Sequence, residues 1–430
     1  MRMQLRLLVL ALASAIPTMS CVAQASQSLT LQQAEQIAVQ NHPRIQAAAN
    51  MALAAKAQVT QARSAYYPTV FGSLTGVEAE NNSRISAGAL NNPIIFNRYA
   101  NGVTVSQLIT DFGRTHELVK SSNLHAQAQE ASVEGTRADV LLQVDRSYFA
   151  ALKAQSVLAV AQETVKARQL ASDQVTELAK NKIKSDLDVN FANVNLAQAQ
   201  LLLIQAQNDL QSSFAELSAA LGYSEQHTFM LTEEPLPAAP PPDVTSLIQQ
   251  ALKDRPELIS QRLDVGSAQS YASAERDLKL PTISALGSAG LAPANAAPLP
   301  PRYAAAGFNV NIPIFNGHLF SALQSEAGSR AKAESQYLRD LQNQIVRDVQ
   351  TAWLNANSAY QRLSVTDRLL DQANQALDLA QSRYSLGLSS IIELSQAELN
   401  QTEARIEQAG AKYDYEVQSS LLNYQLGALR

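Results

Sequence analysis

Val103-Thr104-Val105-Ser106-Gln107-Leu108-Ile109-Thr110 and Gly307-Phe308-Asn309-Val310-Asn311-Ile312-Pro313-Ile314 are the stretches that decide the fold. In the first, Val103, Val105 and Ile109 alternate with Thr104, Ser106 and Thr110. In the second, Phe308, Val310, Ile312 and Ile314 alternate with Gly307, Asn309 and Asn311. A period of two puts the apolar side chains on one face of an extended strand and the small polar ones on the other. Strands of about ten residues patterned this way can cross a bilayer with lipid on one side and water on the other. Weaker partners precede them, Thr69 to Val77 and Thr282 to Ala289, where glycines dilute the alternation. The stretches Asn81 to Asn101 and Ala292 to Pro301 read as exposed loops.

Two such hairpins have two possible fates. They can pair into a small soluble sheet, or they can enter a membrane. A four-stranded sheet in lipid would leave two open edges, and closed membrane barrels need at least about eight strands. In the membrane, therefore, several chains must share one barrel.

Outward from the strands the chain repeats itself. His42-Pro43 stands 25 residues before Tyr67-Pro68-Thr69-Val70, and Arg255-Pro256 stands 25 residues before Leu280-Pro281-Thr282-Ile283, about 213 residues on. Ser185, Asp188 and Leu221-Gly222 recur about 205 residues later as Ser390, Glu393 and Leu426-Gly427. The segments 115–180 and 318–385 contain no proline, so each reads as one helix roughly 100 Å long at 1.5 Å per residue. Each is followed by a shorter helix, 187–221 and 391–426, with a heptad seam. Val189, Leu196, Leu203, Leu210 and Leu217 recur every seven positions, with Ala192, Ala199, Ala206, Ser213 and Ala220 three residues on. In the second copy the seam runs through Ile345, Val349, Ala352, Ala356 and Ala359, then Leu363, Thr366, Leu370, Ala373, Leu377, Ala380 and Tyr384. Its counterpart is Val140, Val144, Ser147, Ala151, Ala154, Leu158, Ala161 and Val165. Alanine at so many seam positions means close helix approach. Heptads alone would equally suit a structural coiled coil, which leaves the period-two strands unexplained.

Composition narrows the function. Residues 1–25 read as a secretory signal: Arg2 and Arg6, an apolar run from Leu7 to Ile16, and Ala23-Gln24-Ala25 as the cleavage site. The single cysteine, Cys21, lies in that segment and either leaves with it or carries a lipid. Removing Arg2 and Arg6 takes the formal charge from −5 to −7, and nothing basic is concentrated enough for a nucleic-acid partner. Beyond the signal, no stretch is long and continuously apolar enough for a membrane-spanning helix. Asp111-Phe112-Gly113 spells a kinase metal-binding triplet, without a phosphate loop or catalytic loop. His42, His116, His125, His227 and His318 show no ligand spacing, and no Ser/His/Asp or Cys/His set stands out. The expectation is a non-enzyme with no catalytic residue, no cofactor and no metal site. The proline-rich stretch 224–242 reads as a linker between a first repeat, 26–223, and a second, 243–430. Within them the β-hairpins fall at about 67–110 and 280–315, and the helical hairpins at about 115–221 and 318–426.

From residue 28 to 430 the chain resembles the TolC-type outer-membrane efflux protein family. The resemblance rests on Leu29-Thr30-Leu31 leading to Asn41-His42-Pro43, on Tyr67-Pro68, and on Asp111-Phe112-Gly113-Arg114 with its counterpart Phe315-Asn316-Gly317-His318. Arg383-Tyr384-Ser385-Leu386-Gly387 followed by Ile392-Glu393-Leu394 is its clearest motif. The resemblance implies a mainly α fold with membrane β: a homotrimer with a 12-stranded outer-membrane barrel, four strands per chain, continued by a long periplasmic helical barrel. It implies an exit duct, taking small molecules from an inner-membrane pump through a periplasmic adaptor protein. A type I polypeptide secretion duct is the alternative, with a periplasmic adaptor or a structural coiled coil behind it.

In such a family the helical-hairpin turns form the periplasmic aperture. The resemblance nominates Glu393 and Asp188 for it, with Glu393 repeated once per protomer as a ring of negative charge that would favour cations. Ser389 stands where regulated relatives place an arginine, and Gln396 where they place a second acid, so the closing network is thinner or differently built. Lys182, Ile183 and Lys184 in the first turn, and Leu386, Gly387, Leu388 and Ser389 in the second, are the candidate adaptor-docking residues. Lys182 occupies the place of Gly387.

Overall fold

A computed structural model describes residues 28–78, 84–87, 90–94, 98–292 and 301–429. The expected signal with Cys21, parts of the expected loop 81–101 and most of the expected loop 292–301 lie outside the described residues.

Each copy begins with two helices broken at the X-Pro dipeptide. Thr30 and Gln33 form a capping box that starts α1 (Leu31–Asn41). Pro43, which has no N–H to lose at a first helical position, opens α2 (Pro43–Arg63), and the His42 ring nitrogen accepts the Arg44 N–H at 3.2 Å. The second copy repeats this as α5 (Val244–Asp254) and α6 (Pro256–Asp277), with Asp243 capping α5. The long helices are α3 (Arg114–Lys180) and α7 (Leu319–Ser385), 67 residues each. Each turns back into a 35-residue helix, α4 (Asp186–Ala220) and α8 (Ile391–Gln425). Asp111-Phe112-Gly113 is the start of α3: the Asp111 carboxylate accepts the Thr115 N–H at 2.7 Å and the Thr115 hydroxyl at 2.5 Å. The aspartate is consumed in ending a strand and starting a helix.

The seams lie where the heptads put them. Ala192, Ala199, Ala206, Ser213 and Leu217 are buried on α4, and Val349, Ala352, Ala356, Thr366, Ala373 and Ala380 on α7. Two glycines show why the copies share their markers. A Cβ on Gly222 would come within 3.1 Å of the Asn41 backbone, and one on Gly427 within 3.0 Å of the Asp254 backbone. The Leu-Gly end of each hairpin thus packs against the helix break before the proline, in both copies.

The strands β2 (Thr69–Val77), β5 (Arg98–Thr110), β7 (Thr282–Leu291) and β8 (Arg302–Asn311) form one antiparallel sheet in the order β2-β5-β7-β8. Pairing Val70 with Val105, Val105 with Gly287 and Gly287 with Ala306 gathers an apolar row on one face. Pairing Thr104 with Ser288 sets polar groups on the other. A bulge between Leu108 and Thr110 resets the register before the helix begins. The edges β2 and β8 pair with no other strand among the described residues.

Two features depart from the sequence reading. The stretch Asn81 to Asn101 is not all loop: it holds a small hairpin, β3 (Arg84–Ala87) with β4 (Leu90–Ile94), and the first residues of β5. Runs of four or five residues amid Asn and Gly are too short for alternation to register. The segment 224–242 is also more than a linker. Its β6 (Met230–Leu231) pairs in parallel with β1 (Ser28–Leu29), a pairing across 202 positions that no local pattern announces. The segment is strapped down by side chains: the Trp353 indole N–H donates to Pro241 O at 2.7 Å, and Tyr415 donates to Ala238 O.

Because the seams are close-packed with alanine, they have no room for larger side chains. Ala356 is fully buried. Ala356→Leu should destabilise the fold by about 1–3 kcal/mol through overpacking. A lowered thermal midpoint in detergent checks this, with the exposed position Gln361 changed to Leu as the control that should stay near wild type.

Candidate functional site

The distal ends of the two helical hairpins carry every nominated residue. At the first turn Lys182 adopts φ +57°, and at the second Gly387 adopts φ +74°. In both, the following residue closes the helix end: Ile183 N–H donates to Leu178 O at 2.9 Å, and Leu388 N–H donates to Arg383 O at 2.8 Å. One geometry is therefore built twice, once with glycine and once with a lysine in a left-handed conformation that costs an L-residue roughly 1–2 kcal/mol. Ile183, Leu386 and Leu388 are well exposed apolar side chains. The Ser389 hydroxyl is buried without a hydrogen-bond partner in the chain.

The carboxylates have specific neighbours. Asp188 caps its own helix: Ser185 N–H and hydroxyl donate to it at 2.9 and 2.8 Å. Partial burial raises its pKa, but these bonds and Lys184 outweigh that and hold it below the ordinary carboxylate range. Lys184 crosses to the other hairpin, its ammonium 3.6 Å from the centre of the Tyr384 ring. Burial, then the Asp188 charge, push the Tyr384 phenol up to about 12. Glu393 is not a lone charge: Arg383 Nε stands 3.1 Å from its Oε1, with both side chains about half exposed. The guanidinium beside Glu393 comes from position 383, with serine at position 389.

Above the turns, the hairpins are tied laterally. Phe191 of α4 packs on Ala380, Ile391, Leu394 and Ala397 of the second hairpin. Arg168 of α3 meets Glu398 of α8 at 2.6 Å, with side chains only 10% and 9% exposed. Asn195 of α4 donates to Ser395 at 2.8 Å and reaches Glu398 at 3.4 Å. Burial pulls Arg168 down and Glu398 up, and each partner pulls the other back toward its charged form. A cleft of about 550 Å³ runs beside this pair, lined among others by Glu163, Tyr384 and Arg405. Arg405 closes it with an ion pair to Glu163 at 3.0 Å.

An outer membrane efflux protein description matches the chain twice, over residues 34–223 and 247–428. The chain belongs to that family. The two matched segments are the two copies seen in sequence. This efflux protein is 22% identical to the outer membrane protein TolC of Escherichia coli, over 94% of this chain and 83% of that one. It is 28% identical to the cobalt-zinc-cadmium resistance protein CzcC of Cupriavidus metallidurans, over 90% of this chain and 87% of that one. In three dimensions it resembles the Campylobacter jejuni CmeC outer membrane channel, with a TM-score of 0.80 at 17% identity, covering 93% of this chain and 85% of that one. The efflux protein is thus an outer-membrane transport channel whose helical part extends into the periplasm. The adaptor and structural coiled-coil readings give way to it, since neither accounts for two copies of the whole family pattern.

Sequence reasoning missed Arg168, Glu398 and Asn195. Arg168 and Glu398 lie 230 positions apart on helices rich in exposed charge, and only packing singles them out. An unmatched charge at that depth is costly, so removing one partner should cost more than removing both. Arg168→Met alone should destabilise by about 3–5 kcal/mol, while Arg168→Met with Glu398→Leu should lie close to wild type. Denaturant midpoints of the two proteins, measured with the wild type, give the comparison.

Proposed function

We propose that three copies of this chain close one β-barrel and one helical tube, forming the outer-membrane exit duct of a tripartite efflux pump for small solutes. The open edges of β2 and β8 carry the reading, because a sheet of four strands has no other way to satisfy its backbone in lipid. The helices support it. Leu201 and Ile204 of α4, and Leu354, Leu369 and Leu379 of α7, are large apolar side chains left exposed on the lone chain. Such side chains suit burial against neighbouring copies of the chain. The repeats 26–223 and 243–430, joined by 224–242, each supply two strands of the barrel and one helical hairpin of the tube.

In this duct the hairpin turns meet at the periplasmic entrance, with Glu393 and Asp188 at the aperture. Lys182, Ile183 and Lys184, with Leu386, Gly387, Leu388 and Ser389, meet the periplasmic adaptor, which links the duct to its inner-membrane pump. The exposed Ile183, Leu386 and Leu388 suit an apolar contact there. Transport through the duct needs no bond-making, so no catalytic residue or cofactor enters it. Small-solute efflux is favoured over polypeptide secretion by the likeness to CzcC, named for cobalt, zinc and cadmium resistance.

The Arg383–Glu393 pair sets the expected electrostatics. Three Glu393 carboxylates around a narrow opening favour cations, and three neighbouring guanidiniums temper that preference. In planar bilayers, Glu393→Gln should lower cation preference and block by divalent cations, whereas Arg383→Gln should raise both. Unchanged selectivity and block in Glu393→Gln would remove Glu393 from the aperture.

A further inference from the structure

Far from the hairpin turns, α1, α3, α8 and the inter-repeat segment bring acidic side chains together around Tyr148. Asp145 of α3 and Glu416 of α8 are each only 2% exposed. Asp145 Oδ1 and both carboxylate oxygens of Glu416 accept no hydrogen bond from the chain. The Glu35 carboxyl of α1 is the acidic neighbour of Asp145, and its charge adds to burial in holding the Asp145 carboxyl up. A buried carboxyl that faces no donor is held there most readily when it keeps a proton.

The surroundings add negative charge. Glu234, whose Oε1 accepts the Leu31 N–H at 3.2 Å, acts on both Glu35 and Glu416, and Glu233 acts on Glu416 as well. Lys412 offsets Glu416 in part, but its ammonium is held by Glu233 at 2.6 Å. From α2, Arg44 pairs with Asp139 at 3.7 Å. α4 brings the apolar Phe214 and Leu217 to the same core, and the Tyr148 and Tyr413 phenols complete it. The place is structurally important. The Tyr148 hydroxyl lies 2.8 Å from Leu29 O and 2.6 Å from Thr232 O, so it joins β1 to the segment that carries β6.

We propose that Asp145 and Glu416 each hold a proton at this junction and thereby fasten β1, α1 and the inter-repeat segment to the helical bundle. Proton uptake tightens this junction of the two repeats, and proton release loosens it. The proton fits better than a metal ion, since among the described residues no three carboxylate or imidazole groups converge as metal ligands. The inference stands apart from the aperture reading and holds whether or not Glu393 selects cations.

The direction of the pH effect follows from burial. Burial first, then Glu35, hold Asp145 up at about 7; burial first, then Glu233 and Glu234 against Lys412, hold Glu416 up at about 7. Freed into water, the same groups titrate near 3.8 and 4.5. Each therefore favours the closed junction fully below about pH 4 and loses that contribution as pH rises toward 7. Each proton can change the opening equilibrium by up to about tenfold per pH unit in that window.

Amide hydrogen exchange of the full-length protein in detergent, corrected for intrinsic chemistry, reads the junction at residues 31–41 and 228–234. Protection there should fall by about tenfold or more between pH 5 and pH 7. Asp145→Asn and Glu416→Gln, which keep shape but cannot titrate, should each flatten that slope. A flat wild-type profile would overturn the proposal, even if neither variant assembled. So would variants that keep the wild-type slope. If calcium chloride restored protection at pH 7 in the wild type but not in the variants, the occupant would be a cation and the proton site would be refuted.

Discussion

A strand edge cannot be left open in hydrocarbon, and that constraint organises the whole molecule. The chain builds one sheet with two unpaired edges, β2 and β8, and an apolar face. No other strand pairs with those edges among the described residues. Association then follows from backbone hydrogen bonding rather than from any particular side chain. The helices inherit the consequence: α3 and α7 leave the sheet one residue beyond the positive-φ positions Gly113 and His318, so whatever closes the sheet also gathers the helical hairpins.

Much of this was legible because period and punctuation are local. Alternation marked Val103 to Thr110, heptads marked the seams, and the proline-free runs 115–180 and 318–385 lie within a residue of α3 and α7. The repeat markers had a reason that sequence alone did not supply. Gly222 and Gly427 are held by the backbone just before Pro43 and Pro256, so the Leu-Gly and X-Pro pairs recur together because they touch. What stayed hidden was non-local. β1 with β6 joins two-residue strands 202 positions apart, and Arg168 with Glu398 joins two ordinary surface-looking residues. At the turns, the sequence did not reveal which groups the acidic residues face. Glu393 looked like an isolated carboxylate until Arg383 was placed 3.1 Å away.

Polar groups buried in this mostly alanine-packed scaffold fall into two kinds. Arg168 and Glu398 are compensated, charge against charge, and tie one hairpin to the other. Asp145 and Glu416 are not, and a carboxyl without a donor is neutralised by a proton instead. The first kind ties the two hairpins together above their turns. The second sits where the N-terminal strand and the inter-repeat segment meet the bundle. Both lie where the first half of the chain packs against the second, Arg168 and Asp145 on α3 and Glu398 and Glu416 on α8.

The number of chains that complete the barrel tests the account most directly. Native mass measurement of the detergent-solubilised protein should give three times the mass of the mature chain, with a single-chain species appearing only after heating in denaturing detergent. A stable folded monomer would contradict the shared barrel, because its sheet would then have to keep two open edges in the hydrocarbon phase.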